Sequence, residues 1–146
     1  MKKFTITFAF AGVVGASFSQ VDEIERMKAM AMENMKKFMK MSPRERREYV
    51  SAKEKSAYML GRKLYQDYSC SGCHPKGGTV GGKVMGMPIP SLKGVRDRFP
   101  KFKPGNDEVI TLSDMINNCM VMFVNRKPLP LASREMRSLT YFVSNF

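Results

Sequence analysis

Two cysteines and the only histidine of the chain stand within five positions of each other, in Cys70-Ser71-Gly72-Cys73-His74. Two thiols at this spacing, followed at once by an imidazole, suit the covalent attachment of a haem. The two sulfurs must reach the two vinyl groups of one porphyrin, while the adjacent imidazole must reach the iron from the same turn of chain. Rival chemistries fit less well. A structural zinc site needs four ligands, and beyond this motif the chain offers only Cys119 as a further cysteine. A thioredoxin-type redox pair belongs at a strand-to-helix junction in a βαβ pattern, which the sequence lacks. A plain disulfide leaves His74 without a task. The expectation is one covalently bound haem c per chain, anchored by Cys70 and Cys73, with His74 as proximal iron ligand.

With His74 used, no second histidine exists for the other side of the iron. Methionine, cysteine, lysine or an open position remain. Met85 and Met87, in Gly-Met-Gly-Met-Pro, are followed by Pro88, but they lie close behind His74 for a chain that must cross from one porphyrin face to the other. The dipeptide Cys119-Met120 offers a thiolate or a thioether from a later helix. Cys119 reads either as a small buried hydrophobe or as the distal ligand, the second being preferred, with Met120 as the alternative.

The elements that position these residues are mostly helical. Residues 1–19 pair two lysines with an apolar run from Phe4 to Val14 and small residues at Ala16, Ser17 and Ser19, the layout of a secretory signal peptide. That run is short for a membrane span, so no stable span is expected, and the protein is expected to be periplasmic with the signal cleaved. Residues 20–42 form a methionine-rich amphipathic arm, with Met27, Met30, Met35 and Phe38 at helical spacing. This stripe reads as a docking face for the domain or a partner helix, with a thioether copper site as the sharper rival.

Residues 43–146 are expected to form the haem domain. Ser42, Pro43 and Glu45 read as a helix start with a capping box, and the helix runs, in one or two pieces, to about Tyr68. Glycines and prolines between Pro75 and Pro104 predict a long wrapping loop with almost no strand signal. Thr111 and Ser133 then read as N-caps of two further helices. The predicted fold class is all-α with an N-terminal amphipathic helical arm.

The formal charge of +12 suits an acidic redox protein or second cytochrome as partner, or an anionic substrate. No helix-turn-helix or RNA-binding signature accompanies it, so no nucleic acid is expected.

The stretch GRKLYQDYSCSGCH resembles the first helix of class I cytochromes c, and Pro90-Ser91-Leu92-Lys93-Gly94 resembles the Pro-x-Leu-x-Gly loop of that family. The resemblance implies a class I cytochrome c-like haem domain. It also implies that the Pro90 carbonyl accepts a hydrogen bond from the proximal histidine. From about Leu64 to Phe146, the ordered runs CHPKGGT, FPKF, TLSDMINNCM and NRKPLPLASREMRSLTYFV resemble a narrower group. This is the haem domain of tetrathionate-forming thiosulfate dehydrogenases and, more distantly, of the catalytic cytochrome subunit of the Sox thiosulfate-oxidising complex. That resemblance implies that Cys119 is the distal haem ligand and the catalytic atom at which thiosulfate or another sulfur anion is held. Asn125, Ser133, Glu135 and Met136 also match the group's pattern.

Two departures stand out. The dehydrogenases carry Arg-Ser shortly after that cysteine, where this chain has Val121-Met122-Phe123-Val124, leaving Arg126 or Lys127 as substitute cations. They also hold two haems, whereas this chain has one attachment motif, so a catalytic role requires a partner cytochrome. Three functions follow as expectations. One is an exported monohaem cytochrome acting in thiosulfate-type oxidation, the second a His/Met electron carrier without substrate, and the third a relay subunit docked through the arm.

Overall fold

The computed structural model describes residues 15–146; the signal segment expected over residues 1–19 lies largely outside the described residues. Two compact units meet between Glu48 and Tyr49, inside a helix. In the first unit, helix α1 spans Gly15–Lys40 and α2 begins at Pro43. The capping box forms as the sequence implies: Glu45 N–H donates to Ser42 Oγ at 3.3 Å, and Ser42 N–H donates to Glu45 Oε2 at 2.7 Å. Arg46 closes the end of α1. Its guanidinium donates to the carbonyls of Phe38 (3.2 Å) and Met39 (2.7 Å) and lies 5.5 Å from the Phe38 ring centre, so final carbonyls of α1 gain partners.

Helix α2 runs unbroken through Pro43–Asp67 and carries the chain into the second unit. There it is followed by the one-turn helix α3 (Cys70–Cys73), helix α4 (Leu112–Val124) and helix α5 (Arg134–Val143). The stretch between Pro75 and Pro104 corrects the expectation of a strandless loop. It holds β1 (Gly82–Val84), paired antiparallel with β2 (Met87–Ile89), and β3 (Lys101–Lys103), which pairs with β4 (Glu108–Ile110). Each strand has three residues, too few for an alternating pattern to stand out from the surrounding glycines and prolines. The chain remains mostly helical, with two small hairpins.

Tyr65, Met120, Met136, Leu139, Phe142 and Val143 form the heart of the core, contributed by α2, α4 and α5. The approach of α2 to α5 is set by Gly61. A β-carbon there would stand 2.1 Å from the Ser138 carbonyl oxygen and 2.5 Å from Phe142 Cβ, so only glycine lets the backbones come this close. Around that contact the rings of Tyr58, Tyr65, Phe142 and Phe146 stack edge-on or tilted, with centroids 5.0–5.7 Å apart.

Helix α4 starts in a capping box of its own. Thr111 Oγ1 accepts from Asp114 N–H at 3.3 Å, while Asp114 Oδ2 accepts from Thr111 N–H at 2.8 Å and from its hydroxyl at 2.6 Å. Those two bonds hold the Asp114 carboxyl below its ordinary pKa.

Two outcomes check this architecture. Gly61→Ala is expected to lose about 1–3 kcal/mol in chemical denaturation through overpacking against α5. Gly105→Ala, whose β-carbon would meet nothing within 4 Å, is the control and is expected to stay within about 0.5 kcal/mol. For the α4 cap, Thr111→Ala is expected to cost about 1 kcal/mol. Because the Asp114 pKa is depressed in the fold, its stabilisation is complete above the unfolded value near 3.8 and is lost as pH falls through the folded value. Asp114→Asn should therefore flatten the acid limb of the stability profile.

Candidate functional site

α2 delivers the chain to the attachment motif with an abrupt turn. Ser69 adopts a left-handed conformation (φ 54°), after which Cys70–Cys73 makes a single helical turn closed by His74 N–H on the Cys70 carbonyl at 3.0 Å. The motif is held from both sides. Tyr65 donates its hydroxyl to the His74 carbonyl at 3.0 Å. Strand β1 comes so near that a β-carbon on Gly82 would stand 2.4 Å from the Cys73 carbonyl oxygen.

His74 Nδ1 lies 3.1 Å from the Pro90 carbonyl oxygen. A carbonyl can only accept, so Nδ1 carries the proton and Nε2 keeps its lone pair in the neutral ring. Burial lowers the His74 pKa, against the opposing effect of the Pro90 bond, and so favours that neutral form. An imidazole held at one nitrogen with the other free is the arrangement a metal-ligating histidine requires.

These residues line a cavity of about 350 Å³. Cys70, Cys73 and His74 form one side of the lining, and α4 contributes Met115, Ile116, Cys119 and Met120. The rest is largely apolar, including Leu92, Val95 and Phe99 from the connecting segment. Cys119 shares this lining with Cys70 and Cys73. Burial first, then Cys119, raises the Cys70 thiol to about 11; burial and then Cys73 raise that of Cys119, with Lys103 opposing. The Tyr65 phenol is pushed to about 12, chiefly by burial.

The sequence-derived residues thus converge, with exceptions. Cys70, Cys73, His74, Pro90, Cys119 and Met120 all line the cavity, and so does Met87. Met85 is 87% exposed and lies outside it. Arg126 and Lys127 are not part of the lining either; its cations are Arg98, Lys101 and Lys103. The two lysines were not singled out from the sequence. Their signal was the alternation Lys101-Phe102-Lys103, which on a strand sends both lysines to one face and leaves Phe102 exposed. Asn125 has a structural role: its left-handed backbone (φ 52°) ends α4, and the following N–H, from Arg126, returns to the Met120 carbonyl at 3.0 Å. Ser133 caps α5, accepting from Met136 N–H at 3.1 Å.

Asn117, on the Cys119 helix, clamps the segment that follows. Its side-chain amide donates to the Leu129 carbonyl at 2.9 Å and accepts from the Leu129 N–H at 2.8 Å, copying a strand pair in the absence of a strand. Among the described residues no group of three or more His, Cys, Asp or Glu side chains could hold a separate metal ion. No described helix is long and apolar enough to cross a membrane.

An apolar cavity with two thiols at attachment spacing, beside an imidazole offering Nε2, fits a covalently held porphyrin. The class defined by this site is the c-type cytochrome domain, which binds haem c. Residues 62–146 match the sequence model of the family described as SoxA/TsdA, cytochrome c domain, and the chain belongs to that family. No curated protein and no solved structure matches the chain.

Asn117→Ala is expected to cost about 1–3 kcal/mol by stranding the Leu129 backbone groups. Amide hydrogen exchange should show the loss of protection centred on Leu129, while α2 and α5 remain protected.

Proposed function

We propose that the chain is an exported, periplasmic monohaem cytochrome of class I-like fold that acts in the oxidation of thiosulfate-type sulfur anions. Cys70 and Cys73 would hold the haem through thioether bonds, His74 Nε2 would be the proximal ligand and Cys119 the distal one. The observation that carries this reading is the placement of the Cys119 thiol in the same apolar cavity as the attachment motif and the Pro90-oriented imidazole. Bound there, haem would supply a one-electron acceptor.

The chain's own residues account for the rest. Pro90 fixes the tautomer and the orientation of His74. Tyr65 anchors the backbone at the same residue. Cys119 provides the sulfur at which the substrate's sulfane sulfur is held. Arg98, Lys101 and Lys103 give the cavity the positive charge that a sulfur anion needs, in place of the guanidinium absent after Cys119. Joining two thiosulfates into tetrathionate releases two electrons, more than a single haem takes up. The reading therefore includes a partner, a second cytochrome or an acidic redox protein, drawn to the strongly basic chain.

Met120 supports a second reading, an electron carrier with His/Met ligation and no substrate. It lines the cavity and is only 1% exposed. The two readings separate in the near-infrared magnetic circular dichroism of the oxidised, haem-loaded protein, where the charge-transfer band reports the axial pair. Under the first, the wild type shows a His/thiolate band that Cys119→Ala abolishes and Met120→Leu leaves in place. A His/Met band lost in Met120→Leu would instead assign the protein to the carriers.

A further inference from the structure

The cavity takes its sulfur and its positive charge from different elements. Around Cys119, α4 lines it with Met115, Ile116, Phe123 and Val124, none of them charged. Its cations all stand on the segment that leads into and through β3, and among the described residues no carboxylate joins the lining.

The three cations are not equivalent. Arg98 is exposed and donates to the Ser91 carbonyl at 2.6 Å. Lys101 is exposed too, with its ammonium 4.7 Å from the centre of the Phe99 ring. Lys103 is half-buried, and the turn it begins is tied to α4 beside Cys119. Its carbonyl accepts from the Asn106 and Asp107 N–H groups, both at 3.0 Å, and the Asn106 side chain accepts from that of Asn118 at 3.0 Å. The Lys103 charge also opposes the effect of burial on the Cys119 thiol.

Haem carries two carboxylates, which take up two of the three cationic charges. One charge remains for a substrate, and Lys103 is the cation held on the Cys119 side. Thiosulfate is a dianion, and its second charge would enter an apolar lining without a counterion, which is strongly disfavoured. Exchanging one of its oxygens for carbon gives a thiosulfonate. This keeps the terminal sulfur, carries a single charge and presents an alkyl group to the uncharged wall.

We propose that the site selects short-chain organic thiosulfonates over inorganic thiosulfate, with Lys103 as the specificity-determining residue. The inference rests on the reading of Cys119 as the residue that holds the substrate's terminal sulfur, and it narrows the substrate class.

The test is titration calorimetry of the reduced, haem-loaded full chain, which cannot accept an electron, so that binding is read without turnover. Methanethiosulfonate and thiosulfate are nearly equal in size and differ in charge. Methanethiosulfonate is expected to bind at least about tenfold more tightly than thiosulfate, and than methanesulfonate, which lacks the terminal sulfur. Lys103→Gln should weaken it at least about tenfold, and by more than Arg98→Gln or Lys101→Gln does, while Lys103→Arg restores most of the loss. Exposed Lys83, outside the lining, is the control, and Lys83→Gln should stay within about twofold. Far-UV circular dichroism and the haem spectrum check that each variant is folded and loaded. Thiosulfate bound as tightly as methanethiosulfonate overturns the proposal and leaves the thiosulfate reading standing, whereas binding of neither overturns both. Methanesulfonate bound as tightly, or a loss in Lys103→Gln no larger than in Lys101→Gln, also overturns it.

Discussion

One hydrogen bond organises the domain: His74 Nδ1 on the carbonyl of Pro90. It reaches across sixteen residues, from the turn after α3 to the segment after β2, and it decides which nitrogen of the chain's only histidine is free. Both ends are braced. Behind His74, Tyr65 holds the carbonyl of the same residue and brings with it the aromatic cluster on α5. Behind Pro90, the Leu92 N–H donates to the Gly78 carbonyl at 2.7 Å and the Gly94 N–H to the terminal Phe146 carbonyl at 2.9 Å. The imidazole is thus positioned by contacts reaching from α2 to the last residue.

The glycine-rich stretch acquires a physical purpose in this light. It is a wrap whose two hairpins supply part of the cavity wall. Gly82 allows β1 to ride on the Cys73 carbonyl, while β3 brings two lysines to the cavity that α4 lines with sulfur. Burial alone leaves those thiols neutral, since desolvation raises both Cys70 and Cys119. A thiolate at Cys119 therefore requires a cation close by, and coordination to a metal is the strongest such influence. Met120, a neutral thioether in the same lining, makes no such demand.

Much of this was legible before any coordinates. The attachment motif, the three N-caps at Ser42, Thr111 and Ser133, and the helix between each cap and its terminator are local signals, and local hydrogen bonds realise them. The Pro90 contact came from a family resemblance, because nothing in its composition ties it to a histidine sixteen residues away. The hairpins were missed because three-residue strands fixed by non-local pairing barely alternate. The Asn117 clamp was missed for a related reason: an asparagine in a helix carries no mark of the backbone it will hold twelve residues later.

On the proposed reading, the cavity's lysines compensate from elsewhere in the fold for a departure from the family pattern. An anion entering an apolar cavity loses hydration and must find opposite charge there. After Cys119, α4 offers only Val121, Met122, Phe123 and Val124, so the charge has to come from another element. A free loop would leave lysines there poorly placed. Here β3 pairs with β4 in fixed register, Lys101 lies 4.7 Å over the Phe99 ring, and Asn118, next to Cys119, donates to Asn106 in the turn of the same hairpin at 3.0 Å. On the proposed reading, that Asn118–Asn106 bond is what couples the cationic strand to the thiol. The positive charge of the cavity then comes, by tertiary structure, from Arg98, Lys101 and Lys103 and not from the helix that carries Cys119.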